Sequence, residues 1–113
     1  NKALAQNNPL ERPPVRLGVV AKPSSTPNWI DFREGATVNP QTFFTDFKTD
    51  LRLTPGDSMR LLKKEVDNLK FSHFRYQQFY KNKKVVYGEY NIHQQPDGFV
   101  RSANGRLITG LDI

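Results

Sequence analysis

Four hydrophobic residues in the middle of the chain fall on one side of a helix. They are Phe43, Phe44, Phe47 and Leu51. Asn39 precedes them and can cap a helix N-terminus, and Pro40 suits the first helical position, where its missing N–H costs nothing. The pattern predicts a helix that begins at Pro40 and buries its aromatic side.

A second hydrophobic set follows with the same period. Its members are Met59, Leu62, Val66 and Leu69. Thr54 is a candidate cap, Pro55 takes the first position, and Asp57 stands three residues after the cap, where a capping box has Glu. The sequence therefore predicts a second helix over residues 54–69, with its charged residues facing water.

Beyond Leu69 the spacing changes from helical to alternating. Residues 71–80 are aromatic and Gln-rich and contain neither Gly nor Pro, which is typical of a strand. Residues 85–93 alternate between two faces, and residues 99–103 form a third short candidate strand. Turn signals separate or follow these strands at Asn82, at Pro96-Asp97-Gly98 and at Asn104-Gly105.

These elements predict an α+β fold, in which two helices pack on one face of a small antiparallel meander of about three strands. Residues 1–28 are rich in Pro, Asn and Ser and are interpreted as an irregular arm or linker, with Val15–Val20 as its only candidate strand. Residues 29–113 form the domain, and Trp29, Ile30 and Phe32 are expected to anchor its start.

Charge and composition narrow the possible functions. The chain has 113 residues, 17 basic and 11 acidic, a net charge of +6 and no cysteine. Disulfides and thiolate chemistry are therefore excluded, and no apolar run reaches the ~20 residues that a membrane span requires. A positive charge suits nucleic acid, an anionic membrane or an acidic protein surface.

No catalytic motif emerges from the residues. His73 and His93 are too far apart for H-E-x-x-H and have no evident third ligand, so no metal or cofactor is predicted. G-x-S-x-G and glycine-rich phosphate loops are lacking. The acidic pairs at helical spacing, Asp46 with Asp50 and Asp31 with Glu34, are interpreted as solvated faces. We expect a binding protein rather than an enzyme.

The stretch from His73 to Gly105 resembles a known family. The residues that carry the likeness are His73–Lys81, Val85–Tyr90, His93, Asp97-Gly98 and Ser102–Gly105. Their order resembles the fungalysin/thermolysin propeptide domain, which heads the propeptides of secreted thermolysin-like zinc metallopeptidases. The resemblance extends over about Trp29 to Leu107. It departs from the family's K-G-x-P turn, which here is Lys81–Lys84.

The resemblance implies a module that assists the folding of its protease and inhibits it by non-covalent docking. Its expected partner is the peptidase domain of the same precursor, and its expected destination is secreted or extracytoplasmic, of bacterial type. The chain begins with Asn and contains no H-E-x-x-H segment, so it is interpreted as a fragment of the precursor.

The family pattern also suggests roles for individual residues. Candidates for partner contact are His73, Arg75, Gln77, Gln78 and Tyr80. Candidates for turns and bulges are Gly88, Asp97, Gly98, Asn104 and Gly105. For His73, Arg75, Gln78 and Tyr80, contact with a partner and bracing of the domain itself are equally compatible with the sequence.

Two other functions remain open at this point. Aromatic and basic residues alternate around Tyr76 and Tyr80, as they do in platforms for single-stranded nucleic acid, so a nucleic-acid or polyanion binder is an alternative. A free-standing adhesive or inhibitory module is another, because a fold does not fix a function.

Overall fold

A five-stranded antiparallel sheet organises the molecule in the computed structural model, which describes residues 16–111. The strands are β1 (Trp29–Asp31), β2 (Asp57–Val66), β3 (Ser72–Tyr80), β4 (Lys83–Gln94) and β5 (Val100–Arg106), in the spatial order β1-β5-β4-β3-β2. The helical segments are α1 (Leu17–Val20), a 3-10 turn (Pro40–Thr42) and α2 (Phe43–Asp46). Residues 1–15 of the predicted arm and residues 112–113 of the tail lie outside the described residues.

The first predicted helix is confirmed over residues 40–46, as the 3-10 turn followed by α2. The Asn39 side chain accepts a hydrogen bond from the Gln41 amide at 2.9 Å, and Pro40 takes the first helical position. Past α2 the chain continues to turn, since the Phe47 amide donates to the Phe43 carbonyl and the Leu51 amide donates to the Phe47 carbonyl. The aromatic side is buried as predicted, because Phe43, Phe47 and Leu51 all lie in the core.

The second predicted helix is wrong, because residues 57–66 form strand β2. The hydrogen bond expected of its capping box does form, since the Thr54 amide donates to Asp57 Oδ2 at 2.9 Å. It stabilises a turn that leads into β2, however, and not the first turn of a helix.

The spacing of apolar residues wrongly predicted a helix because β2 contains a bulge. The pairing of β2 with β3 shifts between Leu61 and Lys63, so one residue is inserted into the ladder. The side chains that face the core are therefore at odd positions before the bulge and at even positions after it. The resulting spacing of apolar residues also fits a helical period. Pairing with nine residues of β3 supplies partners for the β2 backbone that the local sequence does not reveal.

The α+β class is confirmed, but the sheet has five strands and not about three. The predicted meander corresponds to β3, β4 and β5, and β1 and β2 extend it at its two edges. β1 has three residues, too few to show a period. The helix count also changes, because β2 replaces one predicted helix and α1 forms where a strand was predicted.

Residues 16–28 pack against the domain. Leu17 and Ala21 are buried in the core, and the Leu17 amide donates to Asp50 Oδ2 at 2.8 Å. The Tyr90 hydroxyl donates to the Pro27 carbonyl at 2.6 Å. The described part of the predicted arm is thus bonded to the sheet, and the division at residue 28 stays a prediction.

A hydrophobic cluster joins the helical segments to one face of the sheet. Leu17, Phe43 and Phe47 meet strand residues that are completely buried, namely Ile30, Tyr90, Ile92 and Ala103. Ile30 and Phe32 anchor β1 as predicted, whereas Trp29 is 56% exposed. Trp29 alternates with Ile30 along the strand, so its side chain lies on the opposite face.

Candidate docking surface

The face of the sheet opposite the core is polar. Residues that oppose each other across neighbouring strands share a face, and one row of the sheet contains Asp31, Ser102, His93, His73 and Glu65 in that order. The next row includes Arg75, which is exposed. We call this surface the polar face. It contains two of the predicted contact residues, His73 and Arg75.

Four side chains on or beside the polar face form a continuous hydrogen-bonded chain. His73 Nε2 lies 2.8 Å from Asp67 Oδ2, and His73 Nδ1 lies 2.7 Å from His93 Nδ1. His93 Nε2 lies 2.6 Å from Asn104 Oδ1. This histidine relay connects the β2–β3 turn with β3, β4 and β5.

The acceptors at the two ends of the relay determine where its protons lie. An ionised Asp67 accepts hydrogen bonds only, and the amide oxygen of Asn104 is likewise an acceptor. Both histidines then donate through Nε2, and one proton is shared between the two Nδ1 atoms. A second Nδ1 proton would place two donors against each other.

Asp67 is the anionic end of this relay and also organises the turn before β3. The hydrogen bond from His73 lowers the pKa of Asp67 below its ordinary value, and the backbone amides of Phe71 and Leu69 add to the effect. Both amides donate to Asp67 Oδ1, at 3.0 and 2.9 Å. The turn is therefore held by a carboxylate that is favoured in its charged form.

Gln78 lies inside the molecule. Its side chain is fully buried, its Nε2 donates to Asp57 Oδ1 and to the Ile108 carbonyl, and its Oε1 accepts from the Ile108 amide, each at 2.9 Å. Gln78 therefore attaches the apolar segment after β5 to the sheet, which identifies a contact of the tail that the sequence did not reveal.

Gln77 has a similar internal role at the irregular part of the β3–β4 pair. It is 3% exposed, and its Nε2 donates to the carbonyls of Val85 and Gly88 at 2.8 and 3.1 Å. Tyr80 is half-buried beside Gly56, at the end of the β2–β3 pair. These geometries support bracing by Gln77 and Gln78, and contact of the five candidates with a partner stays a prediction.

The predicted turn and bulge residues divide into two groups. Asp97 and Gly98 lie in the β4–β5 turn, where the Phe99 amide donates to Asp97 Oδ1 at 3.1 Å. Asn104 and Gly105 lie inside β5 and not in the turn that an Asn-Gly pair predicts.

Close approach explains two of the glycines, by neighbouring backbone at Gly105 and by the Gln78 side chain at Gly88. A Cβ on Gly105 would collide with the Glu89 carbonyl and lie 2.7 Å from Tyr90 Cα. A Cβ on Gly88 would lie 2.9 Å from the Gln78 Cβ. Each glycine thus admits a neighbour that a larger residue would displace.

On the core side of the sheet, a groove of about 730 Å³ separates the helical residues 40–49 from β2. It and the adjoining surface of the β2–β3 pair expose apolar side chains from three elements. We define this apolar groove by Phe44, Met59, Leu61, Phe74 and Tyr76. Phe44 meets Tyr76 edge-on, with ring centroids 4.9 Å apart, and burial raises the pKa of Tyr76.

Sequence reasoning missed this groove because it placed residues 54–69 in a helix whose apolar side would have been buried. Instead, Leu61 is 52% and Val66 is 58% exposed on β2. The lack of Gly and Pro from residue 57 to residue 66, together with Met59 and Leu61 in alternation, was a signal compatible with a strand.

The described residues also bear on the other functions. Within residues 16–111, no cluster of three or more His, Cys, Asp or Glu could hold a metal ion. None of the helices described there is long and apolar enough to cross a membrane. The aromatic residues of β3 are half-buried, and the Arg60 guanidinium lies 3.8 Å from the Phe79 ring centroid, so these rings already pack within the domain.

Comparison with known protein families gives a match. Residues 57–107 match the family model described as Fungalysin/Thermolysin Propeptide Motif. The match begins at the first residue of β2 and ends one residue after β5. No curated protein matches the chain. The predicted resemblance is thereby confirmed over residues 57–107.

Proposed function

We propose, from the fungalysin/thermolysin propeptide motif that residues 57–107 carry, that this chain is a propeptide domain of a zinc metallopeptidase precursor. It binds the peptidase domain of that precursor without covalent attachment, assists its folding and keeps it inactive until the propeptide is cleaved. The family match is the observation that carries the proposal. The precursor is directed out of the cytoplasm.

The structure supports a binding role in two ways. The sheet offers two accessible surfaces, the polar face and the apolar groove, and strands of the matched segment contribute to both. Bonds such as those of Gln78 and the relay hold these strands in place before any partner arrives. A preorganised surface loses less conformational entropy on binding, which favours a template for folding.

The charge of the chain supports a protein partner of opposite sign. A net charge of +6 accelerates association with an acidic surface and penalises basic ones. The peptidase domain of the precursor is accordingly expected to present an acidic patch to this module.

The test uses the peptidase domain that the same precursor encodes, which the proposal requires to contain H-E-x-x-H. The denatured peptidase is refolded with and without one equivalent of this chain, and casein hydrolysis measures the recovered activity after the chain is removed. The native peptidase is titrated with the chain in parallel. We expect a higher yield in the first experiment and inhibition in the second.

Failure of both experiments would overturn the proposal. An oligonucleotide that binds at physiological salt, with affinity reduced by Tyr76→Ala, would favour the nucleic-acid alternative instead. An unrelated basic protein of similar size is the control for non-specific effects of charge on refolding.

A further inference from the structure

The core side of the sheet is only partly covered. Helical segments bury the strand residues of β1, β5 and β4 there, and Ile30, Ala103 and Ile92 have no exposed surface. On the same side of β2, Leu61 and Val66 remain more than half exposed. A sheet is stable when its apolar face is packed against another layer. On the β2–β3 pair, only the edge of the helical layer, at Phe44, makes contact.

The dimensions of the uncovered strip suit one additional helix. Two adjacent strands are about 10 Å wide, which is about the diameter of an α-helix. From Met59 to Val66 the strip is about 24 Å long, which corresponds to about 16 helical residues. Phe44 and Lys48 of the existing helical segment lie along one side of this strip. A helix bound to the strip would therefore lie next to that segment.

Basic side chains border the strip. Lys48 lines the groove, and Lys64 lies on the same side of β2, with its Nζ 5.4 Å from the centroid of the Phe74 ring. A second copy of the chain would bring these lysines together, and two chains that each have a net charge of +6 would repel each other. Asp57 also lines the groove, but its carboxylate accepts a hydrogen bond from Gln78 Nε2 at 2.9 Å, so the charges left for a partner favour an acidic occupant over self-association.

We propose that the apolar groove binds an amphipathic helix of the partner, whose apolar stripe covers Met59, Leu61 and Tyr76 and whose acidic flank meets Lys48 and Lys64. The identity of that partner as the peptidase domain rests on the proposed function. The helix-in-groove mode supplies apolar contact for affinity, and the flanking charges determine its orientation.

The test uses three fluorescent peptides of about 16 residues, the length of the strip. The first has Leu at helical spacing flanked by Glu. The second has the same Leu positions flanked by Lys. The third has the same amino-acid composition as the first, with the Leu positions scrambled. Fluorescence anisotropy with the whole chain measures binding. We expect the first peptide to bind at least about tenfold more tightly than either of the others.

Neighbouring lysines provide a matched pair of variants. Lys64 opposes Phe74 on the core side of the sheet, whereas Lys63 opposes Arg75 on the polar face and pairs with Glu65 at 3.2 Å. Lys64→Glu should weaken the Glu-flanked peptide about tenfold and strengthen the Lys-flanked one. Lys63→Glu makes the same change in net charge and should have little effect. Leu61→Ser should also weaken binding, and Val19→Ser, at an exposed residue of α1, should not.

The inference fails if the Glu-flanked peptide does not bind, if scrambling leaves its affinity unchanged, or if Lys63→Glu and Lys64→Glu have equal effects. Sedimentation that shows a dimer dissociated by Leu61→Ser would assign the groove to a second copy and overturn it as well. Lys64→Glu is then tested against the peptidase domain. If inhibition persists unchanged, the proposed function stands and this docking site is wrong.

Discussion

The Nδ1 atoms of His73 and His93 lie 2.7 Å apart across the β3–β4 pair. At that distance the Nδ1 atom of one ring must donate a hydrogen bond and the Nδ1 atom of the other must accept it. Their outer nitrogens meet Asp67 and Asn104, so the same proton arrangement connects a turn and three strands. Such a relay predicts that its members stabilise the domain jointly and not one by one.

A double-mutant cycle tests this joint action. His73→Ala and His93→Ala should each destabilise the domain, and the double variant should lose less than the sum of the two, with a coupling of about 0.5–1.5 kcal/mol in the free energy of unfolding. Urea denaturation followed by Trp29 fluorescence measures all three variants. Additive losses would show that the short contact contributes nothing of its own.

The lowered pKa of Asp67 predicts a dependence of stability on acid. Because the folded state holds the pKa of Asp67 below 3.8, its charged form stabilises the fold above that value, and this contribution disappears as the pH falls through the folded pKa. Asp67→Asn should therefore lower the melting temperature at neutral pH, and the difference from the parent should shrink below pH 3.8.

Glu34→Gln is the control for that experiment, because Glu34 is an exposed acidic residue outside the relay. It should leave the melting temperature nearly unchanged at every pH. A difference between Asp67→Asn and the parent that is constant from neutral to acidic pH would contradict the assignment.

Gln78 provides a prediction about the tail. In Gln78→Leu the amide and carbonyl of Ile108 lose their bonds to this side chain, which should cost about 1–3 kcal/mol in the free energy of unfolding. The Ile108 amide should also exchange with deuterium much faster than in the parent. Gln41→Leu, on an exposed residue, is the control, and equal losses in the two variants would show that Gln78 does not brace the tail.

Two glycines allow a direct comparison of packing. Gly88→Ala places a methyl group 2.9 Å from the Gln78 Cβ, and at Gly18 there is no neighbour within 4 Å. Gly88→Ala should destabilise the domain by about 1–3 kcal/mol, whereas Gly18→Ala in α1 should be neutral or stabilising by up to about 1 kcal/mol. Thermal unfolding followed by circular dichroism measures both. Equal effects would indicate that the Gln78 side chain moves aside for the added methyl group without loss of stability.

The parts of the fold that could be predicted are those whose signals are local. Asn39, Pro40 and the buried Phe43 and Phe47 determine the first helix through neighbours in sequence. Residues 71–80 have the composition of a strand, residues 85–93 alternate between two faces, and short turns separate the strands of the meander. The match over residues 57–107 likewise agrees with the pattern of residues from His73 to Gly105.

The elements that were missed depend on distant partners. β2 has the composition of an amphipathic helix, and only its ladder with β3 makes it a strand. Asn104-Gly105 has turn chemistry, yet Tyr90 and Glu89 lie where only a glycine fits. The relay was not evident because its histidines stand twenty positions apart, and their opposition depends on the β3–β4 register. Composition does not encode that register.

The bulge between Leu61 and Lys63 has a consequence for insertions and deletions in this strand. With regular alternation from Met59, Lys63 and Glu65 would lie on the core side, and Lys64 and Val66 would lie on the other. The extra residue in the bulge reverses this assignment. Val66 therefore lies on the core side, and Glu65 lies on the polar face in the row of His73. Deletion of Leu62 would therefore leave both surfaces as they are, whereas deletion of Lys63 with the bulge retained would move Lys64 and Val66 to the polar face and Glu65 to the core side.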